Sequence, residues 1–317
     1  MTTITAADVK KLRDMTGAGM MDCKNALTET NGNMDEAVDL LRKKGLSKAA
    51  KKSGRIAADG LIGIVAKGKE GAVVEINSET DFVARNGQFQ DMVRDITSLA
   101  PAAKGDLAAL LAATYPGTKN SVETHVKEMV ATIGENMSVR RTAEVSVSDG
   151  VVAGYVHNKA ADGVGKIGVL VGVESKGDKE AVGTLARQLA LHIAAASPAA
   201  ITVEDLDPAL IEKERAIYVE QAKAEPRNAG KSDEILAKAS EGRLRKEFFQ
   251  QVVLMQQVFL GAGGDGKQTV EQVVKAAEKT AGAPLKVAKF VRFALGEGVE
   301  KKEGDFAAEV AAMAAKR

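Results

Sequence analysis

Apolar side chains recur at helical spacing in the N-terminal part of the chain, and turn-forming residues interrupt them twice. The breaks are "TGAG" at 16–19 and "NGN" at 31–33, while Thr5 and Asn33 are placed to cap the first and third helices. Residues 1–45 are therefore predicted to form a bundle of three short helices, which would be marginally stable alone.

The pattern changes period after a basic, alanine-rich stretch. Gly45 is placed to end the third helix, and residues 46–59 are predicted to be a linker, either solvated or helical. Two β-branched runs joined by "KGKEG" then predict a β-hairpin at 60–77. Helical spacing returns twice afterwards, and 60–148 is predicted to be one subdomain of the core. The apolar positions of these two helices are Phe89, Met92, Val93, Ile96, Val126, Met129, Val130 and Ile133.

The same order of elements recurs further along the chain. Residues 150–174 contain two more apolar runs around a glycine-containing loop, and a helical pattern follows at about 179–196. Two similar strand–strand–helix units predict an internal duplication. The second subdomain of the core is assigned to 149–203 together with 261–298, where a helix and a strand-like run are predicted.

A heavily charged helical region interrupts this second unit. Residues 204–260 predict two long helices around the turn "PRNAG" at 226–230, which gives a protruding antiparallel hairpin. A C-terminal helix is predicted for "DFAAEVAAMAAKR" within 299–317. The predicted fold class is α+β, with small antiparallel sheets in a duplicated core. The apolar seam of the hairpin is predicted from Leu210, Ile217, Phe248, Val252 and Met255.

Composition indicates an ordinary globular protein. Of 317 residues, 45% are hydrophobic and 27% charged, and 44 basic residues against 43 acidic ones leave a net charge of +1. Non-specific nucleic-acid binding usually requires a basic excess, so no direct nucleic-acid contact is expected. The apolar runs are shorter than the ~18 residues of a membrane span, and the N-terminus does not resemble a targeting segment. A cytoplasmic location without membrane contact is expected.

Candidate catalytic and metal-binding groups are few and scattered. The three histidines, His125, His157 and His192, are far apart in the sequence and lack neighbours at metal-ligand spacing. Cys23 is the only cysteine, so an intrachain disulfide is excluded, and it is predicted to be a small buried hydrophobe on a helix. The sequence contains no G-x-S-x-G motif. These residues predict no metal, no cofactor and no covalent catalysis.

The glycine run "GAGGDGKQT" at 261–269 is the strongest candidate for a nucleotide site. It matches G-x-G-x-x-G and nearly matches a phosphate loop, with Gln268 where the magnesium-binding hydroxyl belongs. A phosphate loop follows a strand and opens a helix, whereas the residues before 261 predict a long helix. The run is therefore predicted to be a flexible loop, and no direct nucleotide binding is expected.

The stretch "SETDFVARN" at 78–86 is the most informative short segment. It follows a predicted strand and precedes a helix, in a chain with only eight Phe, three Tyr and no Trp. Phe82 either faces solvent as part of a partner surface, or packs inward while Thr80 or Asp81 caps the next helix. The residues alone leave both alternatives open.

Several motifs in order resemble the bacterial translation elongation factor Ts family. They are "LRDMTGAGMMDCKNALTETNGNMDEAVDLLRKKG" (12–45), "AADGLIGI", "INSETDFVARN", "SEGRLRKEFFQQVVLMQQVFL" and "FALGEGVEKKEGDFAAEVAAM", so the similarity covers essentially the whole chain. The resemblance implies a ubiquitin-associated-like fold for the N-terminal bundle. It also implies a guanine-nucleotide exchange factor for the GTPase elongation factor Tu, rather than an enzyme with covalent chemistry.

The resemblance also implies roles for individual residues. Those implied to enter the GTPase beside its nucleotide and to disrupt its Mg²⁺ site are Thr80, Asp81, Phe82 and Val83. Those implied to support the contact are Arg85, Asn86, Met20 and Met21. The helical hairpin mediates self-association in some members of the family, so a homodimer and both one-to-one and two-to-two complexes stay open.

The sequence departs from the family pattern at two places. Arg85 stands where the family often has Lys, which keeps the basic character, and "GKSDE" at 230–234 replaces the usual "GK-P" near the hairpin turn. Two competing functions stay open. One is a scaffold that binds the GTPase without exchange, and the other is a nucleotide-binding enzyme that uses 261–267.

Overall fold

The computed structural model describes residues 4–261 and 266–299. Within these residues, helices and antiparallel strands form the predicted α+β fold. None of the described helices is long and apolar enough to cross a membrane. The C-terminal helix predicted for "DFAAEVAAMAAKR" lies outside the described residues.

The predicted N-terminal bundle is confirmed. Its three helices are α1 Ala6–Thr16, α2 Met20–Glu29 and α3 Met34–Lys52. Thr5 caps α1 by accepting the Asp8 N–H at 3.2 Å, and Asn33 caps α3 by accepting the Glu36 N–H at 3.2 Å. Cys23 is buried in the bundle core, as predicted. The likeness to ubiquitin-associated domains stays a prediction.

The third helix is longer than predicted, because Gly45 lies inside it rather than after its end. A Cβ at Gly45 would lie 3.1 Å from the Cβ of Ala131, so this glycine permits close packing of α3 on a core helix. The helix continues to Lys52. The first half of the predicted linker at 46–59 is therefore helical, while the domain boundaries stay predictions.

Six strands in the described residues form one antiparallel sheet. They are β1 Asp59–Lys67, β2 Glu70–Ser78, β3 Met137–Ser146, β4 Gly150–Ala161, β5 Val164–Glu174 and β6 Lys286–Ala294. Their order is β3-β2-β1-β5-β4, and β6 pairs with β5. Ile62 and Gly63 of β1 pair with Gly165 and Val164 of β5, respectively. This short pairing joins the two halves of the core.

The two halves of the sheet repeat one connectivity. In each half, a hairpin is followed by helices and then by a third strand that pairs with the second, so β1-β2-β3 corresponds to β4-β5-β6. Gly60 and Gly150 begin the two hairpins with φ of 126° and 149°. A Cβ would lie 2.2 Å from the Ile76 carbonyl oxygen at Gly60 and 2.0 Å from that of Val173 at Gly150. This repeated topology supports the predicted duplication.

The strand β3 was not predicted from the sequence. It lies at an edge of the sheet and carries charged residues, including Arg140, Arg141 and Glu144, which obscure the alternation of apolar positions. Val145 is nevertheless fully buried. The strand β3 therefore contributes to the core through few residues, namely Met137, Val139 and Val145.

Helices cover the outer faces of both halves. Those that follow β2 are α4 Asp81–Ala84, α5 Gly87–Ala103, α6 Leu107–Ala112 and α7 Val122–Ile133. Helix α5 packs on β1 and β2, and it buries the predicted apolar positions Phe89, Met92 and Ile96. Helix α8, Lys179–Ala196, packs in the same way on β4 and β5.

A helical hairpin follows α8, as predicted. Its elements are α9 Pro208–Ala224, α10 Asp233–Arg243, a π-helical segment Leu244–Phe249 and the short α11 Gln250–Val252. Arg215 Nε donates to Glu241 at 3.1 Å between the two arms, which is consistent with their antiparallel packing.

The predicted apolar seam of the hairpin is wrong on the first arm. Leu210 and Ile217 are exposed, whereas Ile211 and Tyr218 pack against the second arm. One residue corresponds to about 100° around a helix, so an error of one position turns the whole predicted face away from its partner.

The second arm ends earlier than predicted. Phe248 and Val252 lie in the seam, but a 3₁₀ turn follows at Leu254–Gln256. Met255 therefore packs with the core around α8 rather than with the hairpin. Helix α12, Val270–Ala281, then returns to the core, in agreement with the helix predicted there.

The two three-stranded halves lie face to face, with their helices outside. The facing side chains include Ile62 and Val73 from the first half, and Leu170 and Phe293 from the second. Glycine in β5 allows this approach, because a Cβ at Gly168 would lie 2.6 Å from the Ile62 Cγ2. The layers are therefore helix, strand, strand and helix. Connections at the ends of the strands lie at the surface, where binding residues are usually found.

Candidate functional site

We define residues 78–86, between β2 and α5, as the Phe82 loop. It contains the single helical turn α4, which begins after Thr80 and ends before Arg85. Asn86 caps α5, since its Oδ1 accepts the Gln88 N–H at 2.8 Å. A strand end and a capped helix therefore hold the two ends of the loop.

Phe82 faces solvent, while the next residue anchors the turn. Phe82 is 76% exposed, the largest fraction among the exposed large hydrophobic residues described, and Val83 is buried in the core under α5. Burial of a Phe contributes about 1.5–3 kcal/mol, a gain that the isolated chain leaves unused. The alternative in which Phe82 packs inward is wrong. An exposed aromatic side chain on a fixed turn suits contact with a partner.

The polar residues at the start of the turn are engaged within the protein. Thr80 takes the N-cap position of α4, but its hydroxyl donates to Glu135. Asp81 accepts from Arg85 Nη2 at 2.7 Å in an exposed ion pair, which contributes little to stability. The cap of the long helix α5 comes from Asn86 rather than from Thr80 or Asp81.

A second turn, at 134–136, holds the Phe82 loop from the side. Glu135 accepts the Thr80 N–H at 3.0 Å and the Thr80 hydroxyl at 2.7 Å. In return, Glu79 accepts the Asn136 N–H at 2.5 Å. These residues were not predicted to belong to the site, because they lie between α7 and the strand that the sequence pattern concealed. The available sequence signal for this turn was Gly134, a glycine that follows a helical pattern.

The N-terminal bundle packs on α7, the helix that ends at this turn. Arg42 of α3 pairs with Glu128 at 3.2 Å and donates to Asn120 at 2.8 Å. At the end of α3, Lys52 Nζ donates to the carbonyl oxygen of Gly134. Polar contacts therefore connect the bundle, α7 and the Phe82 loop.

The methionines predicted to support partner binding lie on α2 of the bundle. Met21 is 65% exposed and Met20 is 44% exposed. Met15 is exposed as well and borders a cavity of about 330 Å³ between the bundle and α7. Methionine side chains adapt to irregular surfaces, so this face suits contact with a partner. The structure connects this face to the Phe82 loop through α3, α7 and the turn at 134–136.

A buried ionic cluster fixes the strand that leads into the Phe82 loop. Glu75 of β2 is fully buried and accepts from Arg140 Nη1 at 3.0 Å and from Arg141 Nε at 2.5 Å. A β-bulge places both arginines opposite this carboxylate. Burial alone would raise the pKa of Glu75, but the Gly296 N–H and the Arg141 guanidinium outweigh burial and hold the pKa below its usual value.

The same cluster holds the last described residues against the sheet. The Gly296 N–H donates to Glu75 at 2.9 Å. A Cβ at Gly296 would lie 2.4 Å from the carbonyl oxygen of Ala58, directly before β1. Because Asp59 pairs with Ser78, this segment lies at the end of the sheet that carries the Phe82 loop.

The three histidines occupy separate environments. His125 stacks on Tyr115 with 3.6 Å between ring centroids, and burial lowers the pKa of its imidazole. His192 is buried and contacts Gln257 Oε1 at 2.9 Å, while His157 lies on β4. Among the described residues, no three metal-ligating side chains are grouped so that they could hold a metal ion.

The glycine run at 261–269 has a different context from the one predicted. The helix expected to reach residue 260 ends at Val252, and Val258 forms an isolated β-bridge with Thr269. Thr269 then caps α12 by accepting the Gln272 N–H at 3.3 Å. In the part of the chain that the structure describes, no sheet strand leads into this run, so the strand–loop–helix order of a phosphate loop is not met.

Sequences of known proteins resemble this chain along nearly its whole length. Residues 79–297 match the family described as Elongation factor TS. The Elongation factor Ts of Parvibaculum lavamentivorans is 60% identical over 314 residues, which cover 99% of this chain and 99% of that protein. The Elongation factor Ts proteins of Sinorhizobium medicae and Bartonella henselae are each 55% identical over 312 residues, which cover 98% of this chain and 99% of theirs.

Proposed function

The chain belongs to the elongation factor Ts family of translation elongation factors, and from this premise we propose that it binds the GTPase elongation factor Tu and accelerates GDP release. The observation that carries the proposal is Phe82, which is 76% exposed on a turn held at both ends. A side chain that is presented in advance avoids the entropic cost of ordering it during association.

The proposed mechanism acts on the Mg²⁺ ion of the GTPase. That ion bridges nucleotide phosphates and protein ligands, so displacement of its ligands weakens nucleotide binding. Phe82 would insert beside the ion's site and stabilise the nucleotide-free GTPase, so that GTP can load. Each ~1.4 kcal/mol of coupling changes nucleotide affinity about tenfold. No covalent step is required, so we propose an exchange factor rather than an enzyme.

The four residues that the family resemblance implies at the GTPase contact have different surroundings. Phe82 and Asp81 expose side-chain atoms to solvent. Val83 is buried, and Thr80 is hydrogen-bonded to Glu135. We therefore propose that Phe82 and Asp81 make the contact, and that Thr80 and Val83 hold them in place.

The supporting residues also divide by their surroundings. Met20 and Met21 are exposed on the bundle, and we propose them as a second contact with the G domain of the GTPase. The Arg85 guanidinium is exposed and pairs with Asp81, so we propose that it lies at the edge of the first contact. Asn86 caps α5, and its proposed role is to fix the end of the loop.

The function is tested by measuring dissociation of fluorescent GDP from elongation factor Tu, with and without this protein. Acceleration is the expected result. Association of the two proteins without acceleration would favour the scaffold. Binding of GDP or ATP to this chain alone would favour the nucleotide-binding enzyme.

We also propose the helical hairpin as a surface through which two copies associate. Leu210 and Ile217 are exposed and lie seven residues apart, which places them on one face of α9. The double variant Leu210→Glu, Ile217→Glu is expected to abolish dimers in sedimentation velocity. A wild-type chain that stays monomeric at every concentration, or a dimer that the variant retains, would contradict this proposal.

A further inference from the structure

We infer that Glu135 is a positioning residue for the Phe82 loop and that it couples this loop to the docked N-terminal bundle. The inference rests on the proposed exchange function, in which Phe82 acts on the GTPase. Because Phe82 is 76% exposed, it has few packing contacts of its own, and its position depends on the backbone that carries it. The residue that fixes this backbone therefore controls how Phe82 meets the partner.

Both oxygens of the Glu135 carboxylate bind one residue of the loop. Oε2 accepts the Thr80 N–H at 3.0 Å, and Oε1 accepts the Thr80 hydroxyl at 2.7 Å. Hydrogen bonds to an ionised acceptor are about twice as strong as neutral ones. Thr80 directly precedes α4, so this two-point contact fixes the direction in which the turn begins and the side to which Phe82 points.

The contact is reciprocal, and the two turns therefore act as one unit. Glu79 accepts the Asn136 N–H at 2.5 Å, while Asn136 Nδ2 donates to the carbonyl oxygen of Arg55 at 2.7 Å. Arg55 in turn pairs with Glu79 at 3.5 Å. A rotation of either turn would break contacts on both sides, so the two turns keep one relative arrangement.

The turn at 134–136 is also a point where the N-terminal bundle reaches the core. Lys52, the last residue of α3, donates to the carbonyl oxygen of Gly134. Gly134 is the C-cap residue of α7 with φ 93°, a conformation that glycine adopts without strain. Gly134, Glu135 and Thr80 thus connect the end of α3 to the loop, and a displacement of the bundle would reach Phe82 by this route.

Loss of the Glu135 contact is expected to reduce the exchange rate more than the affinity. A turn that samples several orientations must find the productive one after association, and small misplacements of a reacting group cost up to about a hundredfold in rate. We expect Glu135→Ala to lower the GDP release rate at saturating factor about tenfold. The factor concentration that gives half the maximal rate should change little, because the methionine face of the bundle is unaltered.

A small set of variants separates positioning from direct contact. Glu135→Ala removes both acceptors, and Thr80→Val removes the hydroxyl but keeps the shape. Thr80→Ser restores the hydroxyl and is expected to keep the wild-type rate. Because Thr80 acts through Glu135, the double variant Thr80→Val, Glu135→Ala should release GDP no more slowly than the slower of its two single variants. The matched control is Glu123→Ala, which removes an exposed ion pair with Lys127 within α7, the helix before the turn at 134–136. It should keep the wild-type rate of GDP release.

The outcomes distinguish this inference from the proposed function. If the wild-type protein does not accelerate GDP release, the proposed function fails. If wild type accelerates release and Phe82→Ala does not, while Glu135→Ala and Thr80→Val keep the wild-type rate, the positioning role is overturned. Additive losses in the double variant also overturn it, since they indicate direct contact of Thr80 with the partner.

Folding of the variants is followed by their thermal transitions. If Glu135→Ala does not fold, the comparison of Thr80→Val with Thr80→Ser decides the question. Slow GDP release with Thr80→Val and wild-type release with Thr80→Ser support the positioning role. Wild-type release with both variants overturns it.

Discussion

Two adjacent residues of the Phe82 loop have opposite environments, and their substitutions should change the stability of the fold by different amounts. Phe82→Ala is expected to change the free energy of unfolding by less than about 0.5 kcal/mol, because its side chain faces solvent. Val83→Ala should lower the free energy of unfolding by about 1.5 kcal/mol, because two buried methyl groups are lost. Urea unfolding measures both values. A Phe82→Ala variant that is less stable than Val83→Ala would contradict the assigned environments.

Glu75 makes stability depend on acid pH. Its pKa is lowered in the folded protein from an ordinary value of 4.5, so the ionised carboxylate stabilises the fold above that value. This contribution is lost as the pH falls through the folded-state pKa. Glu75→Gln removes the buried carboxylate that binds both Arg140 and Arg141, and Arg141 keeps its ion pair with Glu297 at 3.3 Å. The substitution should cost about 3 kcal/mol at neutral pH.

The measurement for Glu75 is urea unfolding from neutral pH to about pH 3, a range that spans the ordinary carboxyl pKa. Glu75→Gln should show a shallower loss of stability below pH 4.5 than the wild type. Glu70→Gln, an exposed position on the same strand, is the control and should follow the wild type. Equal acid slopes for Glu75→Gln and wild type would contradict the role of the cluster.

At the scale of elements, the glycines of β5 set the distance between the two strand layers. Gly168→Ala places a Cβ 2.6 Å from Ile62 Cγ2 and 2.8 Å from Ile64 Cγ2, so it should lower the free energy of unfolding by about 1–3 kcal/mol. Gly183→Ala on α8 meets its neighbours at 3.6 Å and should be neutral or stabilising by up to about 1 kcal/mol. Denaturant unfolding of both variants tests this, and equal effects would contradict the layer packing.

Sequence patterns were sufficient to predict most helices and both hairpins. Helices that bury one face show apolar residues at helical spacing, and strands such as β2, which is buried on both faces, show continuous β-branched runs. These patterns failed where the decisive partner is distant in sequence. Glycine often follows the end of a helix, so the residue type of Gly45 predicted a helix end. In the structure Gly45 lies inside α3, where it packs against Ala131. In β3, the charges that conceal the strand are the arginines that meet Glu75. Local patterns carry no information about such partners.

The candidate site was predictable in the same partial way. A strand end followed by an aromatic residue drew attention to Phe82, but its exposure required the structure. Glu135 lies 55 residues from Thr80, and its carboxylate could not be assigned to this loop from sequence. The residues that present Phe82 are therefore revealed by the fold, whereas Phe82 itself is visible in the sequence.

For the whole molecule, the duplicated core provides a frame in which one copy carries the exposed aromatic residue. The connection from β2 to its long helix contains α4 and Phe82, whereas β5 connects to α8 through residues 175–178. The N-terminal bundle contacts the neighbouring turn, and the segment around Gly296 lies at the same end of the sheet. Segments from three parts of the chain therefore gather around one loop.

The most direct test of the account is the rate of fluorescent GDP release from elongation factor Tu at saturating concentrations of this protein. The wild-type chain should accelerate release, and Phe82→Ala should lose at least about tenfold of that acceleration while still binding the GTPase. Leu191→Ala, which removes an exposed apolar side chain from α8, is the control and should match the wild type. Release that is as fast with Phe82→Ala as with the wild type would contradict the central claim.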